Sequence, residues 1–74
     1  MSGGAVIVVD ARGLRCPWPV LRLAKAARDA GPGTIVEITA DDPAAVAQIG
    51  SYVTERGWSL DASPPVFRVL VAQG

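Results

Sequence analysis

The chain has 74 residues, half of them apolar, with seven basic and seven acidic side chains and no formal net charge. That length supports one domain, 1–74, and the charge balance excludes the basic excess of a sequence-independent nucleic-acid binder, leaving proteins or small molecules as partners. A single cysteine, Cys16, and no histidine exclude an intrachain disulfide and the usual zinc ligand sets, so no metal or cofactor is expected and a reducing cytoplasm fits best.

Residues 1–4 read as a flexible lead. The β-branched run from Ala5 to Asp10 predicts a first strand; it is too short, and lacks the basic flank, for a secretory signal. No apolar stretch approaches the roughly 20 residues of a membrane span, so membrane contact would need a partner. After a loop over Ala11 to Arg15, Pro17 to Ala30 predicts a helix. Val20, Leu23, Ala24 and Ala27 share its inner face, Arg22, Lys25 and Asp29 lie opposite, and Gly31-Pro32-Gly33 stops it.

Thr34 to Thr39 predicts a second strand. Ala40-Asp41-Asp42-Pro43 then reads as a helix start, with Asp42 as N-cap and Pro43 in the first turn. The second helix runs to about Arg56, with Val46, Ile49, Gly50 and Val53 as its buried stripe and Gly57 as its end. Trp58 to Ala62 and Val66 to Ala72 predict two further strands around a Ser63-Pro64-Pro65 turn. The order βαβαββ, with right-handed crossovers, gives an α+β fold: a two-layer α/β sandwich of a four-stranded mixed sheet with two helices on one face.

Chemistry concentrates at Arg15-Cys16-Pro17-Trp18-Pro19. Pro17 has the fixed φ of a first helical turn, which places Cys16 at the N-cap. Pro17 and Pro19 stiffen the turn and lack N–H groups, leaving those of Trp18 and Val20 to face an anion. A helix start lowers a cysteine pKa from about 8.5 toward roughly 3.5–7.5. Arg12, Arg15, Arg22 and Lys25, close in sequence, would surround the sulfur with positive charge and steer an acidic partner. With no second cysteine there is no resolving thiol, and with no histidine no Cys-His hydrolase, so any covalent chemistry must be shared with a partner. A nucleophilic thiol that accepts and returns a sulfur atom needs only access, stabilisation of the anion and a docking surface. The bland alternative is a buried structural cysteine at an ordinary proline-started helix.

Asp10-Ala11-Arg12-Gly13-Leu14-Arg15-Cys16-Pro17-Trp18-Pro19, followed by Pro32-Gly33 and Ala40-Asp41-Asp42-Pro43, resembles the TusA/SirA-like sulfur-carrier family from about Val9 to Val71. The Gly-Leu-x-Cys-Pro-x-Pro block before a helix is the most specific part. The resemblance implies the same βαβαββ fold and a cytosolic carrier, a relay component rather than a stand-alone enzyme. Its cysteine, here Cys16, takes persulfide sulfur from a cysteine desulfurase or rhodanese and passes it to an acceptor protein. Relatives serve tRNA 2-thiolation, molybdenum-cofactor supply or reduced-sulfur metabolism. Two positions depart from the common pattern: Trp18, where relatives often carry a smaller or acidic residue, and Ser51-Tyr52, where many carry an aromatic-cysteine pair.

Trp18 is expected to anchor a docked partner, since aromatic residues dominate binding hot spots. Asp41 is the better contact candidate of the acidic pair, because Asp42 is accounted for as a cap. Arg28 and Arg56 read as solvated charges near helix ends, and Tyr52, Trp58 and Phe67 as core or edge packing. Two other functional classes remain open to the sequence: a non-catalytic interaction module in which Cys16 is incidental, and a ubiquitin-like carrier, disfavoured because the chain ends Ala72-Gln73-Gly74 rather than Gly-Gly. A monomer that exchanges partners suits a carrier.

Overall fold

The structure is a computed structural model that describes residues 5–72; the expected flexible lead and the last two residues lie outside the described residues. Its elements are β1 (Val6–Asp10), α1 (Trp18–Ala30), β2 (Ile35–Thr39), α2 (Ala45–Glu55), β3 (Ser59–Ser63) and β4 (Val66–Leu70). The order is the expected βαβαββ, with each strand bounded within one or two residues of its sequence pattern.

Side-chain alternation fixes which face of the sheet is covered. Val36 and Ile38 of β2 stand in register with Val69 and Phe67 of β4, and all four are buried. The residues between them, Ile35, Glu37, Leu70 and Arg68, turn to the opposite face, where Glu37 and Arg68 form a cross-strand ion pair at 3.5 Å. Leu23 and Ala27 of α1 and Ala45, Ile49 and Val53 of α2 close over the first face in one continuous core, and the two helices touch each other. Both helices therefore lie on one side, making the two-layer sandwich.

The strand order is β1-β2-β4-β3, with β1 parallel to β2 and β4 antiparallel to both of its neighbours. The hairpin strand β4 thus enters the sheet between β2 and β3, and the β2–α2–β3 connection steps over it. One consequence positions the site. The parallel pairing sets Asp10, the last residue of β1, beside Thr39, the last of β2, and the Ala11 N–H extends the ladder by donating to the Thr39 carbonyl at 2.8 Å. The loops after β1 and β2 leave the sheet side by side at the strands' C-terminal ends, where open sheets of this kind commonly place functional groups.

Two packing expectations need correction. The buried stripe of α2 is Ala45, Ile49 and Val53 with Gly50 half-buried, whereas Val46 is 48% exposed. The 4-residue spacing begins one position earlier, at a small alanine that hydropathy alone underrates. On α1, Pro19, Leu23 and Ala27 form the buried line, with Val20 and Ala24 flanking it half-buried. Tyr52 and Trp58 meet edge to face with ring centroids 5.8 Å apart, and Arg56, solvent-exposed as expected, also stacks over Tyr52 at 4.1 Å.

Candidate functional site

The loop after β1 is a pair of tight turns. Gly13, at φ +81°, lets the Leu14 N–H reach back to the Ala11 carbonyl at 3.2 Å. The Trp18 N–H then donates to the Arg15 carbonyl at 2.8 Å, closing a second turn around Cys16 and Pro17, whose peptide bond is cis. The first helical bond runs from the Leu21 N–H to the Pro17 carbonyl at 3.0 Å, so Pro17 is the N-cap and α1 begins at Trp18. Cys16 lies one residue before the cap, a correction to its expected N-cap place. The Trp18 N–H is also engaged by the turn, and therefore does not face an anion.

The loop after β2 grips this loop from the side. Asp41 accepts the Gly13 N–H on Oδ1 at 2.9 Å. Asp42 accepts the Cys16 N–H on Oδ2 at 2.8 Å and the Ala44 N–H on Oδ1 at 2.9 Å. The Ala45 N–H bonds the Asp42 backbone carbonyl at 2.9 Å, so Asp42 caps a turn that leads into α2 rather than the first turn of α2 itself. Between the loops lies a groove of about 400 Å³ lined by Gly13, Leu14, Arg15, Asp41, Asp42 and Pro43.

Cys16 is half-buried and packs against the core cluster, while Pro17 is exposed and Pro19 buried. Trp18 is 58% and Leu21 49% exposed, which gives α1 an outward apolar surface next to the sulfur. The cationic ring expected around the thiol does not form. Arg12 is held by Asp10 through two hydrogen bonds of 2.9 Å, and Lys25 by Asp29 at 2.8 Å. Arg15 acts on Asp42, helping the two amides to hold that carboxyl below its ordinary value. Arg22 is exposed and enters no ion pair among the described residues.

The thiol therefore titrates in the opposite direction from the sequence expectation. Partial burial pushes the Cys16 pKa up, and the Asp42 carboxylate pushes it further. A helix-start cysteine gains from the dipole only if its sulfur sits at free N–H groups; here the Asp42 carboxylate takes the Cys16 amide, the turn takes the Trp18 N–H, and Arg12 and Lys25 are paired with Asp10 and Asp29.

A single half-buried sulfur, gripped through its backbone beside an exposed apolar turn, is the feature to set against known proteins. The family model described as sulfurtransferase TusA matches residues 7–72. The chain belongs to the TusA family. It is also 48% identical over 52 residues to an Archaeoglobus fulgidus protein provisionally named a sulfur carrier, an alignment that covers 70% of this chain and 68% of that one. Both findings support a sulfur-carrier role for this TusA-family chain. Among the described residues no helix is long and apolar enough to cross a membrane, and no group of three or more His, Cys, Asp or Glu is placed to hold a metal.

Of the residues singled out in the sequence, Cys16, Pro17, Trp18, Arg15 and Asp41 come together at this end of the sheet. Arg12 joins them through the same loop but is paired with Asp10, and Arg22 and Lys25 extend away along α1. Sequence reasoning missed Asp42 as part of the site, because a cap already explained it. The signal was the doubled Asp41-Asp42, of which a helix start uses only one.

Proposed function

We propose that this TusA-family protein carries sulfur as a persulfide on Cys16, taking it from a donor protein and relaying it to an acceptor protein. The observation that supports this most is the single sulfur held at an exposed apolar turn, with no second thiol to resolve it internally. In the loading step Cys16 gives up its thiol proton to solvent and the resulting thiolate attacks the terminal sulfur of a donor persulfide. A new S–S bond forms on Cys16, the donor's S–S bond breaks, and the donor leaves as a thiolate with no net oxidation. Delivery is the same exchange in reverse, toward the acceptor.

Trp18 and Leu21 form the apolar centre of the docking surface, with Arg15, Arg22 and Lys25 on its basic side and Arg12 and Asp41 at the loop edge. Half-burial keeps the loaded sulfur from adventitious thiols, while the turn leaves room for a partner's cysteine to approach. The donor is a cysteine desulfurase or a rhodanese in the cytoplasm. The acceptor belongs to tRNA 2-thiolation, molybdenum-cofactor supply or reduced-sulfur metabolism, and the protein works as a monomer that binds one partner at a time, without contacting nucleic acid itself.

Intact-mass spectrometry tests the reading. After incubation with a cysteine desulfurase and cysteine, or a rhodanese and thiosulfate, the wild-type chain gains the mass of one sulfur atom and Cys16→Ser gains none. Equal masses in the two chains with every donor would end it.

A further inference from the structure

We propose that Asp42 is a positioning residue for Cys16: by accepting the Cys16 and Ala44 N–H groups on one carboxylate, it fixes the sulfur-bearing turn against the start of α2 and restrains the thiol's reactivity between partners. The inference rests on Cys16 being the carrying residue and adds to that reading the means by which its reactivity is set.

The geometry carries it. The two bonds, at 2.8 and 2.9 Å, use different oxygens of one carboxylate and join segments 26 residues apart in sequence. Charge-assisted bonds of this kind are roughly twice as strong as neutral ones. Capping the turn before α2 needs only Oδ1; Oδ2 is given entirely to the Cys16 amide. The neighbouring Asp41 holds Gly13 at 2.9 Å, so the loop is fixed at two points, but only Asp42 binds the cysteine itself.

The charged groups on the segments that carry or flank Cys16 come from three elements. The β2–α2 loop supplies Asp41 and Asp42; the loop after β1 supplies Arg12, which is paired with Asp10, and Arg15, which acts on Asp42; α1 supplies Arg22 and, in a pair with Asp29, Lys25. Burial is the larger influence against ionisation of the thiol, and of these charged groups the Asp42 carboxylate adds to it in the same direction. The same carboxylate thus locates the sulfur and lowers its thiolate fraction, which limits oxidation and stray exchange while no partner is docked.

The experiment is a pH–rate profile for iodoacetamide alkylation of Cys16 in the full reduced chain, for wild type, Asp42→Asn and Asp41→Asn. Asn removes the charge and keeps only one of the two acceptor oxygens, so at most one of the two amide bonds survives. Asp42→Asn should move the midpoint to lower pH and raise the rate at pH 7 by roughly threefold, as loss of one nearby, partly screened negative charge predicts; Asp41→Asn should leave the midpoint in place. A midpoint unchanged or raised in Asp42→Asn overturns the proposal. Should that variant fail to fold, the wild type decides by NMR. The Cys16 and Ala44 amide resonances should titrate together in acid with one midpoint below the ordinary aspartate value of 3.8, and separate midpoints or no titration overturn it equally. Both readouts are independent of sulfur loading, so failure of the carrier reading in the mass assay and failure of the Asp42 inference are distinguishable.

Discussion

Gly13 sits in the left-handed region at φ +81°, three residues before Cys16, and its N–H is the one that Asp41 holds. A side chain there gains nothing, because a Cβ would find no atom within 4 Å, while its backbone conformation costs about 1–2 kcal/mol. Gly13→Ala should therefore lower the urea-unfolding free energy by about 1 kcal/mol with an unchanged m-value, and Gly13→Asn by less, since Asn tolerates this region better. Exposed Trp18 gives the opposite case. Its removal leaves the core intact, and Trp18→Ala should change stability by less than about 0.5 kcal/mol while slowing sulfur exchange with a partner, read by the rate of mass gain on Cys16.

Helix α1 separates those roles by face. Leu23, fully buried, belongs to the core cluster that also holds Val36, Ile38 and Phe67, and Trp18 and Leu21 stand outside it. A domain of this size is stable by only about 4–11 kcal/mol, and Leu23→Ala removes about 2–5 of them. Urea titration should show that variant unfolding at much lower denaturant, with Leu21→Ala close to wild type. On α1, Leu23 and Ala27 were legible in the sequence from their helical spacing while the buried Pro19 was read only as stiffening the turn, and the strands were legible from β-branched runs or, in β3, from the alternation of Trp58, Leu60 and Ala62 with polar residues. The stripe of α2 was read correctly at Ile49 and Val53 but started at Val46 instead of Ala45, because hydropathy favours the valine although the smaller residue is the one buried beneath the helix. The site was legible only as far as Cys16 and its two prolines. Which amides and cations reach the sulfur depends on the parallel pairing of β1 and β2, which sets residues 13–16 against residues 41–42, and no local pattern encodes that contact. Local reading therefore surrounded the thiol with arginines, whereas the fold pairs Arg12 with Asp10 and brings in Asp42.

Across the whole molecule these interactions set how stability follows pH, and two limbs are expected. Asp10 is pulled down to about 2 by its hydrogen bonds and ion pair with Arg12, Asp29 is lowered by Lys25, and Asp42 by the Ala44 and Cys16 amides. Each folded value lies below the unfolded one of 3.8, so in acid the unfolded chain binds more protons. Their contribution is complete above the unfolded value and disappears as pH falls through the folded values, down to about 2 for Asp10. Cys16 runs the other way: its folded value is raised above 9.0, so its contribution is present below 9.0 and is lost as pH rises through the folded value. Urea midpoints should be flat from about pH 5 to 8, fall below pH 4, and fall again above pH 9. Cys16→Ser should weaken the alkaline fall, and Asp42→Asn the acid one. Salt distinguishes the carboxylates further. The Asp10–Arg12 and Lys25–Asp29 side-chain pairs are solvent-exposed and screened, whereas the bonds to backbone amides persist, two on Asp42 and one of 3.1 Å from the Arg12 N–H on Asp10, so the acid limb that remains at high salt should be smaller in Asp42→Asn than in wild type. Equal acid limbs in wild type and Asp42→Asn under those conditions would show that the grip on the Cys16 turn adds no pH-dependent stability.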